Sequence, residues 1–438
     1  MCRCVYAFGY VLRFCRSPLP EPIPLQTHLS PEFRDTLDGQ EAEAILRKCV
    51  HCGFCLATCP TYQLLGDELD GPRGRIYQIK QMLEGGPVSE KTQLHLDRCL
   101  TCRSCETTCP SGVKYHRLLD IGRKVVAERV PRPLGQRLVR AALKEALPRP
   151  WIFRPAVAIG QMLRPLLPQV LADKVPTVAV GQSRAWPEKS DHPRRMLVLA
   201  GCVQPGLAPN TNAATARLLD KLGITLFEAP EAGCCGALRF HLDAHEQALD
   251  DMRRNIDAWW PHIASAGSGV EAIVMTASGC GAHVKEYGHL LQHDPAYAAK
   301  AARVTELTKD VAEILVAEAD RLKPLLEAKT HPPVKIAFHS PCTLQHGQKI
   351  KGVVEDLLQA AGVELTPVAD PHLCCGSAGT YSILQPALSK QLRDNKLAAL
   401  TAGSPAAIAT ANIGCQTHLQ SGCSKPVRHW VEIIEERL

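Results

Sequence analysis

No stretch of this sequence approaches the about 20 uninterrupted apolar residues that a membrane-crossing helix needs, so any membrane contact is peripheral. The apolar patch from Val5 to Leu12 is too short to span a bilayer, and no small-residue cleavage site follows it. Also missing are a G-x-G-x-x-G loop after a strand pattern, a Walker A loop and a nucleophile elbow. Their absence removes nicotinamide or flavin binding, and hydrolytic chemistry, from the candidate functions. Charge of one sign is scarce too. A net charge of +6 over 438 residues is too mild for a nucleic-acid partner.

Cysteine is what the chain has. Twenty cysteines in a disulfide-stapled secreted protein belong to a short chain, and this one is long enough for two or three domains with real cores. Reduced thiols serving as metal ligands fit better, which places the protein in the cytoplasm or on its membrane face. Eight of them form two copies of one pattern: Cys49-x2-Cys52-x2-Cys55-x3-Cys59-Pro60 and Cys99-x2-Cys102-x2-Cys105-x3-Cys109-Pro110. This spacing belongs to proteins with two [4Fe–4S] clusters, where the fourth cysteine of each run ligates the other run's cluster. Structural zinc is the competing reading. Zinc takes four ligands, usually from well-separated pairs, and has no use for a third cysteine at the same short spacing.

The 39 residues between Cys59 and Cys99 carry a helical pattern (Ile76, Ile79, Met82, Leu83) that ends at Gly85-Gly86. A compact β-type ferredoxin has no room for that helix, so an all-helical two-cluster domain is expected over residues 40–120. Asp67 to Arg75 reads as a loop entering the helix, with Arg73 and Arg75 either near cluster or partner charge or part of a solvated turn. From Lys114 to Arg164 there are twelve Lys/Arg and three Asp/Glu, with helical apolar spacing broken by prolines. Stretches such as 156–171 look like amphipathic helices with a basic edge. They suit an anionic membrane surface or an acidic partner, or are an ordinary solvated linker running to about residue 195. Residues 1–24 read as disordered or as a mis-assigned start.

The remainder is an internal repeat. Cys202, Cys234-Cys235-Gly236 and Cys280 return as Cys342, Cys374-Cys375-Gly376 and Cys415, offset by 140, 140 and 135 residues. Short apolar runs at 196–200, 272–277, 334–338 and 406–411 read as buried parallel strands, each ending at a cysteine-bearing loop. Helix patterns over 213–222 and 353–361 end at Gly223 and Gly362. Loops at the carboxyl ends of parallel strands converge on one crevice, so each set of four cysteines can meet at a point.

A chain with two cubane sites and no organic cofactor moves electrons one at a time, and its donor is a partner. The order of two ferredoxin runs, a basic helical segment and two Cys-Cys-Gly repeats resembles respiratory iron–sulfur subunits. These include subunits of anaerobic glycerol-3-phosphate dehydrogenase and heterodisulfide reductase, and lactate-utilisation proteins. Longer strings sharpen the resemblance: CVHCGFCLATCPTYQLLGDELDGPRGRIYQIKQ from Cys49, DRCLTCRSCETTCPSGV from Asp97, PEAGCCG from Pro230, TASGCGAHVKEYG from Thr276, HLCCGSAGTY and TANIGCQTHL. From about Leu25 onward the chain is similar to the glycolate oxidase iron–sulfur subunits. That resemblance implies FAD-binding partner subunits that oxidise glycolate to glyoxylate, and onward transfer through this chain to membrane quinone. It implies a position on the cytoplasmic face of the inner membrane. It also implies that Cys49, Cys52, Cys55 and Cys109 hold one cluster and Cys99, Cys102, Cys105 and Cys59 the other. A lactate, glycerol-3-phosphate or heterodisulfide-reductase-like system is the alternative.

One departure stands out. Where such a repeat binds an unusual iron–sulfur cluster it closes with C-x-x-C, whereas here it closes as Cys280-Gly-Ala-His283 and Cys415-Gln-Thr-His418. A further iron–sulfur site, another metal such as zinc, or buried structural thiols are the open readings for these eight cysteines. The expected fold is α plus α/β. An all-helical two-[4Fe–4S] ferredoxin domain (40–120) and a basic helical segment with linker (121–195) precede two repeated α/β cysteine-rich domains (196–290 and 334–430).

Overall fold

The computed structural model describes residues 3–7, 10–14, 26–166, 184–188, 191–264, 269–329 and 331–438. Of the segment 1–24, two short strands, β1 (Arg3–Ala7) and β2 (Tyr10–Phe14), pair antiparallel. The rest of that segment, and 167–183 and 189–190 of the expected linker, lie outside the described residues.

From residue 26 to 166 every described regular element is helical. The helix Leu37–Leu46 starts at Thr36, whose hydroxyl accepts the Gly39 N–H at 3.0 Å. The helix Pro72–Leu83 has proline at its first position, where the missing N–H costs nothing, and stops ahead of Gly85 at φ 91°. Arg73 and Arg75 therefore sit inside the helix's first turns, not in a loop as expected. Ile76, Ile79, Met82 and Leu83 face the helix Tyr115–Arg129, which presents Leu118, Leu119 and Val126. Fully burying each such side chain is worth about 1.5–3 kcal/mol. Gly122 lets the two helices touch, since a Cβ there would lie 2.7 Å from Ile79 Cγ1. This contact brings the two cysteine runs, one ahead of each helix, to a common face.

The two repeats have the same topology. Strands β3 (Arg194–Val198), β4 (Ile224–Glu228), β5 (Ile273–Met275) and β6 (Thr308–Asp310) form a parallel sheet in the order β4-β3-β5-β6. Strands β7 (Val334–His339), β8 (Val363–Leu365), β9 (Ala407–Thr410) and β10 (Val427–His429) repeat it as β8-β7-β9-β10. The helix after β3 (Asn210–Lys221) packs on the helix after β10 (Trp430–Glu435). In the mirror contact, the helix after β7 (Val353–Ala360) packs on the helix after β6 (Val311–Ala317). One apolar core therefore runs through both repeats, from Met196 and Val198 to Ile336, Phe338 and Trp430.

The helical domain docks on both repeats through its second cysteine run. Arg103, Arg117 and His116 surround Glu286 of the first repeat at 3.2, 2.8 and 3.6 Å. On the second repeat, Thr107 Oγ1 meets His346 Nδ1 at 2.8 Å and the Tyr381 hydroxyl donates to the Arg98 carbonyl at 3.1 Å.

Candidate metal centres

Both ferredoxin runs coil the same way. His51 and Gly53 in the first run, and Thr101 and Arg103 in the second, have φ of 52°, 84°, 53° and 60°. Left-handed backbone at a β-branched residue such as Thr101 is uncommon and costs on the order of 1–3 kcal/mol. Its recurrence at matched positions ties that strain to aiming three closely spaced thiols inward.

The thiols meet crosswise. Cys49, Cys52, Cys55 and Cys109 line one cavity of about 440 Å³, counted to its open mouth. Cys59, Cys99 and Cys102 line a second, of about 360 Å³, and Cys105 and Tyr115 form a wall common to both. The cavities are therefore adjacent. Among the described residues, no three of these eight thiols approach within 4.8 Å of one another. A tetrahedral zinc with Zn–S near 2.3 Å needs sulfurs about 3.8 Å apart, so the donor set is too wide for one ion and fits a cubane. Burial pushes the Cys49, Cys102 and Cys105 thiols up, and burial together with the Cys49 and Cys52 thiolates pushes Cys55 up to about 12. Ionising them needs a compensating cationic core.

The two arginines left open by the sequence divide between the cavities. Arg73 lines the first and pairs with Glu68 at 2.6 Å. Arg75 lines the second and is fully buried, donating to the His95 carbonyl at 2.7 Å and to Thr61 Oγ1 at 3.2 Å. Thr61 in turn lies 3.3 Å from Cys59 Sγ. The first cavity faces outward, with Cys52 exposed and Phe54 62% exposed, while Cys102 of the second packs against Cys342, Cys374 and Tyr381 of the second repeat.

In the repeats the thiols run in a row, Cys202–Cys234–Cys235–Cys280 and Cys342–Cys374–Cys375–Cys415, each interacting with the next. Cys342 and Cys374 are 3.9 Å apart. The last cysteine of each set is in the first turn of a helix (Ser278–Val284 and Ile413–Gln420), not in a loop. Gly376, at φ 88°, is required because a Cβ would come 2.6 Å from the Ser389 carbonyl. The two C-terminal histidines differ. His283 is buried with Nε2 unpartnered, and burial pushes it down to about 4. His418 is turned to Ser389, 3.2 Å from its Oγ. A histidine missed in the sequence, His339 at the end of β7, lies among the second set instead. Its signal is visible only when the repeats are laid over each other, where Leu199 holds the matching place. The second set also touches the ferredoxin run: Leu100, Cys342, Cys374, Tyr381 and Leu392 form one buried cluster against Cys102.

Residues 45–113 match the 4Fe-4S dicluster domain, and residues 196–285 and 336–420 match the cysteine-rich domain. The chain is 57% identical to the glycolate oxidase iron-sulfur subunit of Escherichia coli (strain K12) over 414 residues, 94% of this chain and 99% of that one. It belongs to the glycolate oxidase iron–sulfur subunit family. A probable glycolate oxidase iron-sulfur subunit of Bacillus subtilis is 32% identical over 90% of this chain and 92% of its own. Lactate utilization protein A of Bacillus licheniformis is 27% identical over 54% of this chain and 97% of its own. As a member of the family, this iron–sulfur subunit carries [4Fe–4S] clusters and transfers electrons within an oxidoreductase complex, alongside other subunits. Among the described residues, no helix is long and apolar enough to cross a membrane.

Proposed function

We propose that this chain carries electrons from FAD-binding subunits that oxidise glycolate to glyoxylate toward membrane quinone. Cys49, Cys52, Cys55 and Cys109 would hold one cluster, and Cys99, Cys102, Cys105 and Cys59 the other. The observation that carries this reading is the pair of adjoining four-thiol cavities sharing the Cys105 wall, in a chain similar over nearly its whole length to a glycolate oxidase subunit. Each cubane supplies a one-electron station when bound. The two electrons released when glycolate becomes glyoxylate on a partner subunit would pass one at a time through stations held by these cysteines to a quinone that takes two. The residues of this chain set the route. The outward-facing Cys52 and Phe54 side offers a docking face to a redox partner, and Arg75 holds positive charge beside the second station.

Attachment to the cytoplasmic face of the inner membrane is part of the same proposal. The helix Leu134–Ala146 buries no residue, and together with Pro150–Leu163 it exposes Leu134, Leu138, Trp151, Ile159 and Met162 beside Arg137 and Arg154. An apolar face with tryptophan and a basic edge suits anionic lipid. The test is quinone reduction by the purified complex with glycolate, lactate or glycerol 3-phosphate as donor. Glycolate-dependent reduction that disappears when this subunit is omitted is expected. Equal rates without the subunit, or reduction driven by lactate or glycerol 3-phosphate in place of glycolate, would contradict it.

A further inference from the structure

We propose that the second repeat holds a single thiophilic metal ion of its own, bound by His339, Cys375 and Cys415. A ring nitrogen of His339 and the two Sγ atoms all lie within 4.8 Å of one another, and all three residues are buried. Tetrahedral coordination with metal–sulfur near 2.3 Å and metal–nitrogen near 2.0 Å places ligand atoms about 3.5–3.8 Å apart. This donor set is therefore of single-ion size, unlike the wide sets of the ferredoxin runs. Cys374 interacts with Cys375 on one side and lies 3.9 Å from Cys342 on the other, but it does not come within 4.8 Å of all three, so the compact set is three residues.

His339 Nε2 is buried and has no hydrogen-bond partner. An orphaned polar atom of this kind is destabilising, and coordination to a cation would satisfy it. The surroundings suit thiolates. The Gly376 N–H points at Cys374 Sγ at 3.4 Å, Asn412 Nδ2 reaches Cys415 Sγ at 3.7 Å, and the buried Lys396 lies in the field of Cys374 and Cys375. Donors of this kind orient and tune first-sphere ligands. The first repeat lacks the device. Leu199 stands where His339 does, and among the described residues His283 does not join its thiols within the same distance. Thiolate–imidazole sets of this geometry take zinc or iron, and both have the chemistry proposed here. The inference is independent of the relay reading. An ion here would brace the second repeat where Cys342 and Cys374 pack against Cys102.

The test is metal analysis of the purified complex together with X-ray absorption at the zinc and iron edges. Two cubanes account for about eight irons per chain. About one further zinc or iron is expected, with mixed sulfur and nitrogen ligation. His339→Leu should lose that ion and keep about eight irons, while His418→Leu should keep both. If His339→Leu does not fold, His339→Cys serves instead, retaining the ion with the nitrogen ligand replaced by sulfur. Eight irons with no further metal, four or more extra irons, or an ion whose ligation His339→Cys leaves unaltered would each overturn the proposal.

Discussion

Replacing Arg75 with methionine should lower the reduction potential of the cluster in the second cavity. The guanidinium reaches Thr61 Oγ1 at 3.2 Å, and that oxygen lies 3.3 Å from Cys59 Sγ, so the charge is within about 6.5 Å of a thiol proposed to bind the second cluster. At an effective dielectric constant near 20, a unit charge at that distance is worth about 2.5 kcal/mol, or about 100 mV for a one-electron couple. Burial opposes the charge, but Cys99, Cys59 and Asp70 outweigh it and hold the group protonated, above the usual arginine range. Asp70 is not abandoned by the change, because Arg98 remains 2.8 Å away and His95 3.1 Å. The stability cost should therefore fall near the low end of the about 3–5 kcal/mol seen when a buried ion pair is broken. An EPR-monitored redox titration of the intact complex should show the second cluster's midpoint falling by roughly 50–100 mV. The first cluster should move less, and Arg75→Lys should fall in between. A second-cluster midpoint unchanged within error, with its signal intact, would refute the electrostatic role given to Arg75.

Glu286→Gln leaves Arg103, Arg117 and His116 without their shared counter-charge. Since these side chains are about a fifth exposed or less, the loss should be roughly 2–3 kcal/mol. Thermal unfolding and limited proteolysis between the helical domain and the first repeat would register it, and an unchanged profile would show that the contact contributes little. At the same contact, burial lowers the pKa of His116, but Glu106 and Glu286 outweigh it and raise the pKa above the ordinary 6.5. A raised pKa means the stabilisation is complete below about pH 6.5 and is lost as pH climbs through the folded-state value. Proteolytic release should accordingly increase from slightly acid to alkaline pH, and His116→Gln should flatten the trend. Gly122→Val would drive a side chain into Ile79 and should destabilise the helical domain by about 1–3 kcal/mol, read as a lower unfolding midpoint.

The parts of this molecule that were readable in the chain are those encoded locally. The two cysteine runs carry their spacing within eleven residues each, and β3, β5, β7 and β9 announce themselves as apolar runs next to cysteines. Strands β6 and β10 span three residues each, too few for any periodicity, yet the helices that follow them close the shared core. Arg75 looked like a loop residue because Asp-Gly-Pro reads as a turn, whereas Pro72 in fact opens the helix and carries Arg75 inward. Glu286 meets Arg103 across 183 residues of sequence, and no local pattern marks that pairing. His339 is a single histidine before Ser-Pro-Cys, silent until folding brings β7 beside the thiols of Cys375 and Cys415.

The central claim, that these two adjoining cysteine sites relay electrons from glycolate, is tested most directly by rapid freeze-quench EPR of the intact complex mixed with glycolate in the absence of quinone. The account predicts that signals of two interacting reduced [4Fe–4S] clusters grow in together and decay when quinone is added. Accumulation of reduced flavin while both clusters stay oxidised would contradict it.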